Sequence, residues 1–285
     1  LSGVPWIADF RDPMAQDGYP ADPKTWQSFK HIEERTVRRA AASVFVTPGA
    51  AAEYRRRYPG VRAERFLVIE NGYDEESFSL CERDESGGSR PDNAAGTFVL
   101  LHSGVVYPSE RDPTQFFRAL RAMLDDGTLK AGELRVRLRA SAHEALLGKM
   151  IAEHGVDEVV ELAPPVPYRD ALREMTQAHG LLVLQARNCN EQIPAKLYEY
   201  LRCRRPILAL TDPPGDTAGL LRRAGIDNIA RLDSHEDIAR ELRRFIDEAK
   251  AGRAKLPADG FVCSASRGER TRALAQLLDA IPAAR

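Results

Sequence analysis

Glu191 and Glu199, with seven residues between them, frame the stretch of this 285-residue chain in which acids, a cation and free backbone amides are crowded together. The stretch runs Asn190-Glu191-Gln192-Ile193-Pro194-Ala195-Lys196-Leu197-Tyr198-Glu199-Tyr200-Leu201; it follows an apolar run at 181–184 and opens a helix. Pro194 suits the first helical turn, where its missing N–H costs nothing. The amides of Ala195 and Lys196 then point out of the helix N-terminus, and the backbone dipole there favours an anion such as phosphate. Lys196 adds a full positive charge to the same turn. Glu199, about one turn further in, is placed to direct its carboxylate toward a diol such as the ribose hydroxyls. Glu191 stands before the helix, in the loop at the C-terminal end of a strand, which is where open α/β sheets hold ligands.

Positioning these groups requires a particular order of elements. Residues 4–10 read as a short buried strand ending in a polar cluster with Asp9, Arg11 and Asp12, followed by a Pro-rich loop. A helix at 26–42, a β-branched strand at 43–47, a helix at 49–58 and a strand at 66–69 continue the pattern as far as the turn at Asn71-Gly72. Residues 81–96 are polar and Gly-rich without periodicity, the composition of a flexible linker or loop. Beyond it, strands are predicted at 97–101, 134–138, 159–162, 181–184, 206–210 and 229–232. Helices alternate with them, up to 124 and at 143–154, 168–178, 196–202, 216–224 and 234–250, the last opening on Ser234 with Asp237 three residues on. After a break at 257–260, one more amphipathic helix is predicted at 264–281. The fold class is therefore α/β, with two Rossmann-like domains. The first, 1–80, is incomplete; the second, 97–256, is a complete doubly wound parallel sheet; and 257–285 packs back on the first.

Composition removes several function classes. With 41 Lys and Arg against 42 Asp and Glu, the formal net charge of −1 advertises no nucleic acid. Arginine is locally dense at Arg55-Arg56-Arg57, at Arg202 with Arg204-Arg205, and at Arg243-Arg244. Solvated helix faces account for these runs better than contact with anionic lipid does, although peripheral contact at the inner membrane face is kept as an expectation. Four cysteines at 81, 189, 203 and 263 form no CxxC or His-spaced pattern, so neither zinc nor a disulfide framework is expected, and a reducing, cytoplasmic setting fits. No apolar run approaches the ~20 residues that span a bilayer. No Asp-x-Asp loop stands near a strand end, so no metal is expected. His102 beside the glycine at 104 reads as a packing residue, the remaining histidines as surface residues, and Trp6 and Trp26 as core.

The paired glutamates, with Lys196 and helix amides between them on a strand-loop-helix, resemble the signature of retaining glycosyltransferases with two facing Rossmann-like domains, the GT-B type, notably family 4. Residues 4–13 are similar to the end of an acceptor-domain strand. Residues 68–74, with Asn71, Gly72 and Asp74, are similar to the element at the domain crossover. Leu101-His102-Ser103-Gly104 with Arg111-Asp112-Pro113 resembles the first strand and loop of the donor domain. Pro194-Ala195-Lys196 through Leu201, with Arg205-Pro206-Ile207, resembles the variant found in polysaccharide-building members.

The resemblance implies transfer of a sugar from a nucleotide-sugar donor to a saccharide or lipid-linked saccharide acceptor. It places Glu199 on the donor ribose and Glu191 near the transferred sugar. Gly104 matches the glycine that admits the phosphates, and Arg111 falls near the family's phosphate-binding lysine. Donor contacts are thus expected from Gly104, Arg111, Ile193, Pro194, Ala195, Lys196 and Glu199, acceptor contacts from Asp9, Arg11 and Asp12, and no cofactor. Val105 stands where many members carry Arg, and Gln192-Ile193-Pro194 replaces a Gly-Phe-Gly stretch, so Arg111 and Lys196 are expected to share the diphosphate. A whole enzyme of this kind is expected to have roughly a hundred further N-terminal residues. A nucleotide-sugar epimerase and a non-catalytic nucleotide-binding module are the alternative readings.

Overall fold

A computed structural model describes residues 4–84 and 96–281. Three strands, β1 (Ile7–Phe10), β2 (Ala42–Phe45) and β3 (Phe66–Val68), form a parallel sheet in that order. Their crossovers carry α1 (Pro23–Arg39) and α2 (Pro48–Arg57), each opened by a capping side chain, Asp22 and Thr47, ahead of a proline in the first turn. The core between sheet and helices is aromatic: Phe10 and Phe45 stack at 5.3 Å and Tyr54 tilts against both.

The second sheet has six parallel strands: β4 (Phe98–Ser103), β5 (Leu134–Arg139), β6 (Val160–Ala163), β7 (Gly180–Leu184), β8 (Ile207–Leu210) and β9 (Ile229–Ala230). Their spatial order is β6-β5-β4-β7-β8-β9. That is the doubly wound order 3-2-1-4-5-6, in which the chain reverses direction between β4 and β7 and ligands collect at the carboxyl ends there. Consecutive strand residues supply opposite cores. Leu100, Leu182 and Leu184 pack under α4 (Thr114–Asp125), α5 (Glu144–His154) and α9 (His235–Lys250). Leu101, Leu181 and Val183 pack under α6 (Tyr168–Gln177), α7 (Lys196–Cys203) and α8 (Asp216–Arg223). Both faces of the central strands β4, β7 and β8 are covered, which is why these read as mostly apolar runs, whereas β5 alternates Leu or Val with Arg.

Three expectations are corrected here. Residues 81–84, assigned to a loop by composition, complete the helix α3 (Glu75–Asp84), whereas 85–95 lie outside the described residues. α3 buries Phe78 and Cys81 in the core of the second sheet, and Arg202 pairs with its Glu75 and Glu82, so it belongs to that body although it precedes residue 97. At the C-terminus the helix expected at 264–281 is α11 (Arg267–Asp279), capped by Ser266 on the amide of Glu269, and a further short helix, α10 (Asp259–Ser264), stands where a break was expected. α11 buries no residue, so it is not an amphipathic packing helix. Trp6, expected in the core, is 45% exposed.

The junction between α10 and α11 lies against the turn that leads into α3. Tyr73 accepts from the Arg267 amide at 2.8 Å and donates to Ala265 O at 3.3 Å. A Cβ on Gly72 would meet Ala265 O at 2.7 Å and the Arg267 amide at 2.9 Å, backbone atoms with no side-chain freedom to yield. Gly72→Ala is therefore expected to cost about 1–3 kcal/mol and to loosen the C-terminal segment. Denaturant unfolding together with proteolysis of that segment measures it, and unchanged values for both contradict the packing described.

Candidate functional site

The loop after β4 and the loop after β7 meet at the reversal point of the second sheet. Gly104 ends β4 with φ +110°, and its amide donates to Arg139 O at 2.8 Å. A Cβ there would lie 3.5 Å from Lys196 Nζ, an ordinary contact, so it is the positive φ rather than the ammonium that favours glycine here. Ser103 on the same strand donates its amide to the hydroxyl of Tyr200, a fully buried side chain of α7, at 2.8 Å, which fixes the helix against β4.

Lys196 points back under this loop. Its Nζ donates to His102 Nε2 at 2.7 Å and to Ser103 O at 3.1 Å. His102 is fully buried, and its other nitrogen, Nδ1, faces Leu182 O at 3.0 Å. Since Leu182 O can only accept, Nδ1 carries the proton and Nε2 is free to accept from the lysine. Burial, reinforced by the Lys196 charge, holds His102 well below its ordinary range, so it stays neutral. Burial and the neighbouring Arg111 guanidinium hold Lys196 well below the ordinary lysine range. His102 is thus more than packing: it aligns the one lysine of α7.

Arg111 lies in the wall of a small cavity of about 40 Å³ together with Pro194 and Gln192. Its guanidinium bonds Val105 O and stacks on Tyr107 at 5.0 Å from the ring centroid. It thereby closes the glycine loop on itself while keeping its charge near Lys196. Glu199 is half-buried one turn into α7 and accepts from the Tyr168 hydroxyl at 2.7 Å. Burial pushes its carboxyl up, and that bond partly offsets the shift. Tyr168 opens α6, so the acid is held between two helices at the strand ends.

The other predicted residues divide. Ala195 is exposed at the start of α7, where Leu197 and Tyr198 donate their amides to Pro194 O and Ala195 O. Ile193 is 6% exposed and packs in the core, so only its backbone can meet a ligand. Glu191 sits in the loop ahead of α7. It crosses to the first domain, where Thr47 donates to its carbonyl at 2.6 Å, and Gly49 leaves no room for a Cβ against its Cα and Cγ, both 3.1 Å away. Burial, with Glu53 and Asp216 nearby, raises its carboxyl. Asp9 and Arg11 enter the cleft between the domains together with Ala195, whereas Asp12 is not among the residues that line it. Arg11 bonds Asn71 Oδ1 at 2.6 Å rather than bridging the two aspartates beside it.

Two groups that sequence reasoning missed brace this arrangement, and a third holds the first domain together. Gln185, 4% exposed after β7, donates to Cys189 O and Gln192 O and accepts from Thr217, so it holds the loop that carries Glu191. Asp216 accepts from the Gly49 amide at 2.7 Å, so the second domain caps a helix of the first. Glu33, fully buried, binds the hydroxyls of Tyr54 and Tyr58, the Ala15 amide and Arg57. Among the described residues no helix is long and apolar enough to cross a membrane.

No family model and no curated protein matches this sequence. Solved structures do match it. Alr3699/HepE of Anabaena in complex with UDP and glucose is 15% identical, with a TM-score of 0.65 over 97% of this chain and 72% of that one. Sucrose-phosphate synthase of Thermosynechococcus elongatus is 12% identical, TM-score 0.64, over 96% and 67%. An α,α-trehalose-phosphate synthase (UDP-forming) from Burkholderia xenovorans, in complex with glucose-6-phosphate, is 12% identical, TM-score 0.70, over 96% and 68%. The chain has the two-domain, parallel-sheet architecture of GT-B glycosyltransferases.

Proposed function

We propose that the protein is a glycosyltransferase that takes a hexosyl or related sugar from a nucleotide-sugar donor and passes it to an acceptor hydroxyl, as polysaccharide and glycoconjugate assembly require. The observation that carries the reading is the meeting of Gly104, Lys196 and Glu199 at the reversal point between β4 and β7. A phosphate pair fits against the start of α7, where Lys196 exchanges its bonds to His102 and Ser103 O for phosphate oxygens. Glu199 exchanges the Tyr168 hydroxyl for the ribose diol.

In the reaction a bond forms between the acceptor oxygen and the anomeric carbon, and the bond from that carbon to the phosphate oxygen breaks. The nucleoside diphosphate leaves with the electron pair, and the acceptor proton passes to the departing phosphate oxygen. Charge on the leaving group is the main thing to stabilise, and Lys196, Arg111 and the helix dipole do so without a metal in this reading. Glu191 lies toward the first domain, beside the developing positive charge on the sugar, and configuration is retained.

Calorimetry of the chain against UDP-, GDP- and ADP-sugars tests the donor half of the reading. Binding of one of the three, weakened at least tenfold by Glu199→Ala, is expected. A folded chain that binds none of them removes it.

A further inference from the structure

Resting on the reading above, we propose that the cleft between the two domains binds an oxyanion carried by the acceptor, a phosphoryl or carboxylate group, through Arg11, Arg267 and Arg270. The cleft holds a cavity of about 310 Å³ that reaches from the carboxyl ends of the first sheet to Ala195 at the start of α7. Its three arginines come from three places: the end of β1 and two successive turns of α11.

Each is already aimed by the turn at 70–72. Arg11 donates to Asn71 Oδ1 at 2.6 Å, Arg267 Nε to Gly72 O at 3.3 Å and Arg270 Nε to Asn71 O at 3.2 Å. A guanidinium has five N–H donors in a rigid fork, so one such bond orients the group and leaves others for a ligand. The acids in the wall do not cancel this charge. Glu70 is shared between Arg223 and Arg270, a pairing that spans both domains, and Asp9 is the remaining carboxylate. Ile7, Val44, Val46 and Ile69 line the cavity between these groups, so the oxyanion is received beside an apolar surface that excludes water and strengthens charge-assisted hydrogen bonds.

The position assigns this site to the acceptor. None of the three arginines stands on the donor sheet or its loops, where Lys196 and Arg111 face the donor phosphates in the reading above, although Arg267 also lies within electrostatic reach of Glu199 and Tyr168. Ala195 forms the common wall, which sets an acceptor hydroxyl at the donor's reacting end while its anionic group is held some distance away.

The test titrates the protein with whichever of UDP, GDP or ADP it binds already saturating, so that the donor phosphate places are filled. Inorganic phosphate, glucuronate and glucose are the probes, read by chemical-shift perturbation or calorimetry. Phosphate is expected to bind, glucuronate to bind about tenfold more tightly than glucose, and both anions to lose about tenfold in the double variant Arg11→Gln/Arg267→Gln. Failure of phosphate to bind, equal affinity for glucuronate and glucose, or full anion affinity in the variant overturns the proposal. A variant that loses affinity for that nucleotide assigns the arginines to the donor and also overturns it. Nucleotide binding in the first step reports on the donor reading separately: a wild-type chain that takes one of the three nucleotides and ignores the anions loses the acceptor site alone, whereas one that takes none of them loses both.

Discussion

Glu191→Gln is expected to lower kcat for sugar transfer by about a hundredfold or more while leaving nucleotide affinity within about twofold. The split follows from where the residue lies. In the proposed reading the nucleotide is held by groups on α7 and the glycine loop, and Glu191 belongs to neither; its loop is tied instead to Thr47 and Gly49 of the first domain. A carboxylate there stabilises positive charge on the sugar only as the donor bond breaks, an interaction made in the transition state and absent from the bound nucleotide. Gln keeps the shape and removes the charge. Burial, with Glu53 and Asp216 as like-charged neighbours, raises the Glu191 carboxyl, so the acid limb of kcat should lie above the ordinary glutamate range. The sign is fixed: activity needs the ionised form, so it is full above this raised value and falls as pH drops through it. The Gln variant should lack that limb. Steady-state kinetics across pH measure both effects, and a variant with wild-type kcat and an unchanged acid limb removes Glu191 from catalysis.

How far such roles can be read from residues alone depends on the separation of the partners. The start of α7 at Lys196 was legible because a helix start is a local event, although Pro194 falls ahead of the Ala195 cap rather than in the first turn. The central strands β4, β7 and β8 were legible because both faces are covered, which makes each a short, mostly apolar run, and β5 because apolar residues alternate with Arg. The alternation of such runs with helical periods leaves few topologies. His102 was not legible as the partner of Lys196, since 94 positions separate them and an isolated histidine on an apolar strand looks like packing. Asp216 capping α2 is the same problem across 167 positions. Ile193 went to the core because the loop that carries it dips under α7, a matter of tertiary geometry. α11 was legible, and Ser266 with Glu269 three residues on is the capping box that marks its start, whereas the six-residue α10 is too short for helical periodicity to show. α3 was missed for another reason. Its polar face dominates the composition, and its two buried side chains, Phe78 and Cys81, are too few to announce a helix.

Lys196→Met should raise the dissociation constant for the nucleoside diphosphate by about ten- to a hundredfold, the loss of a charge-assisted bond of ~1.5–3 kcal/mol. Two opposing effects act on the free protein. Removing the ammonium leaves His102 Nε2 and Ser103 O without their donor, at about 1–3 kcal/mol for a buried acceptor, and it also relieves the cost of holding a cation out of water. These offset each other, so unfolding free energy should move less than affinity does, and weak binding cannot be put down to a collapsed site. The same burial gives the wild type a proton signature. Phosphate oxygens favour the ammonium, so binding raises the Lys196 value from its depressed starting point. A group whose value is higher in the complex takes up a proton on binding when the pH lies between the free and bound values, and its contribution to affinity is lost as pH rises through the bound one. At mildly alkaline pH the binding enthalpy should therefore vary with the ionisation heat of the buffer in the wild type and not in Lys196→Met. Neutral His102 supplies no such proton itself, because burial and its bond to Leu182 O keep it in one tautomer. If the wild-type enthalpy is the same in every buffer and the Met variant binds the nucleotide as tightly, the lysine serves only to pin β4 to α7, and the phosphates must be sought at Arg111 and the helix amides alone.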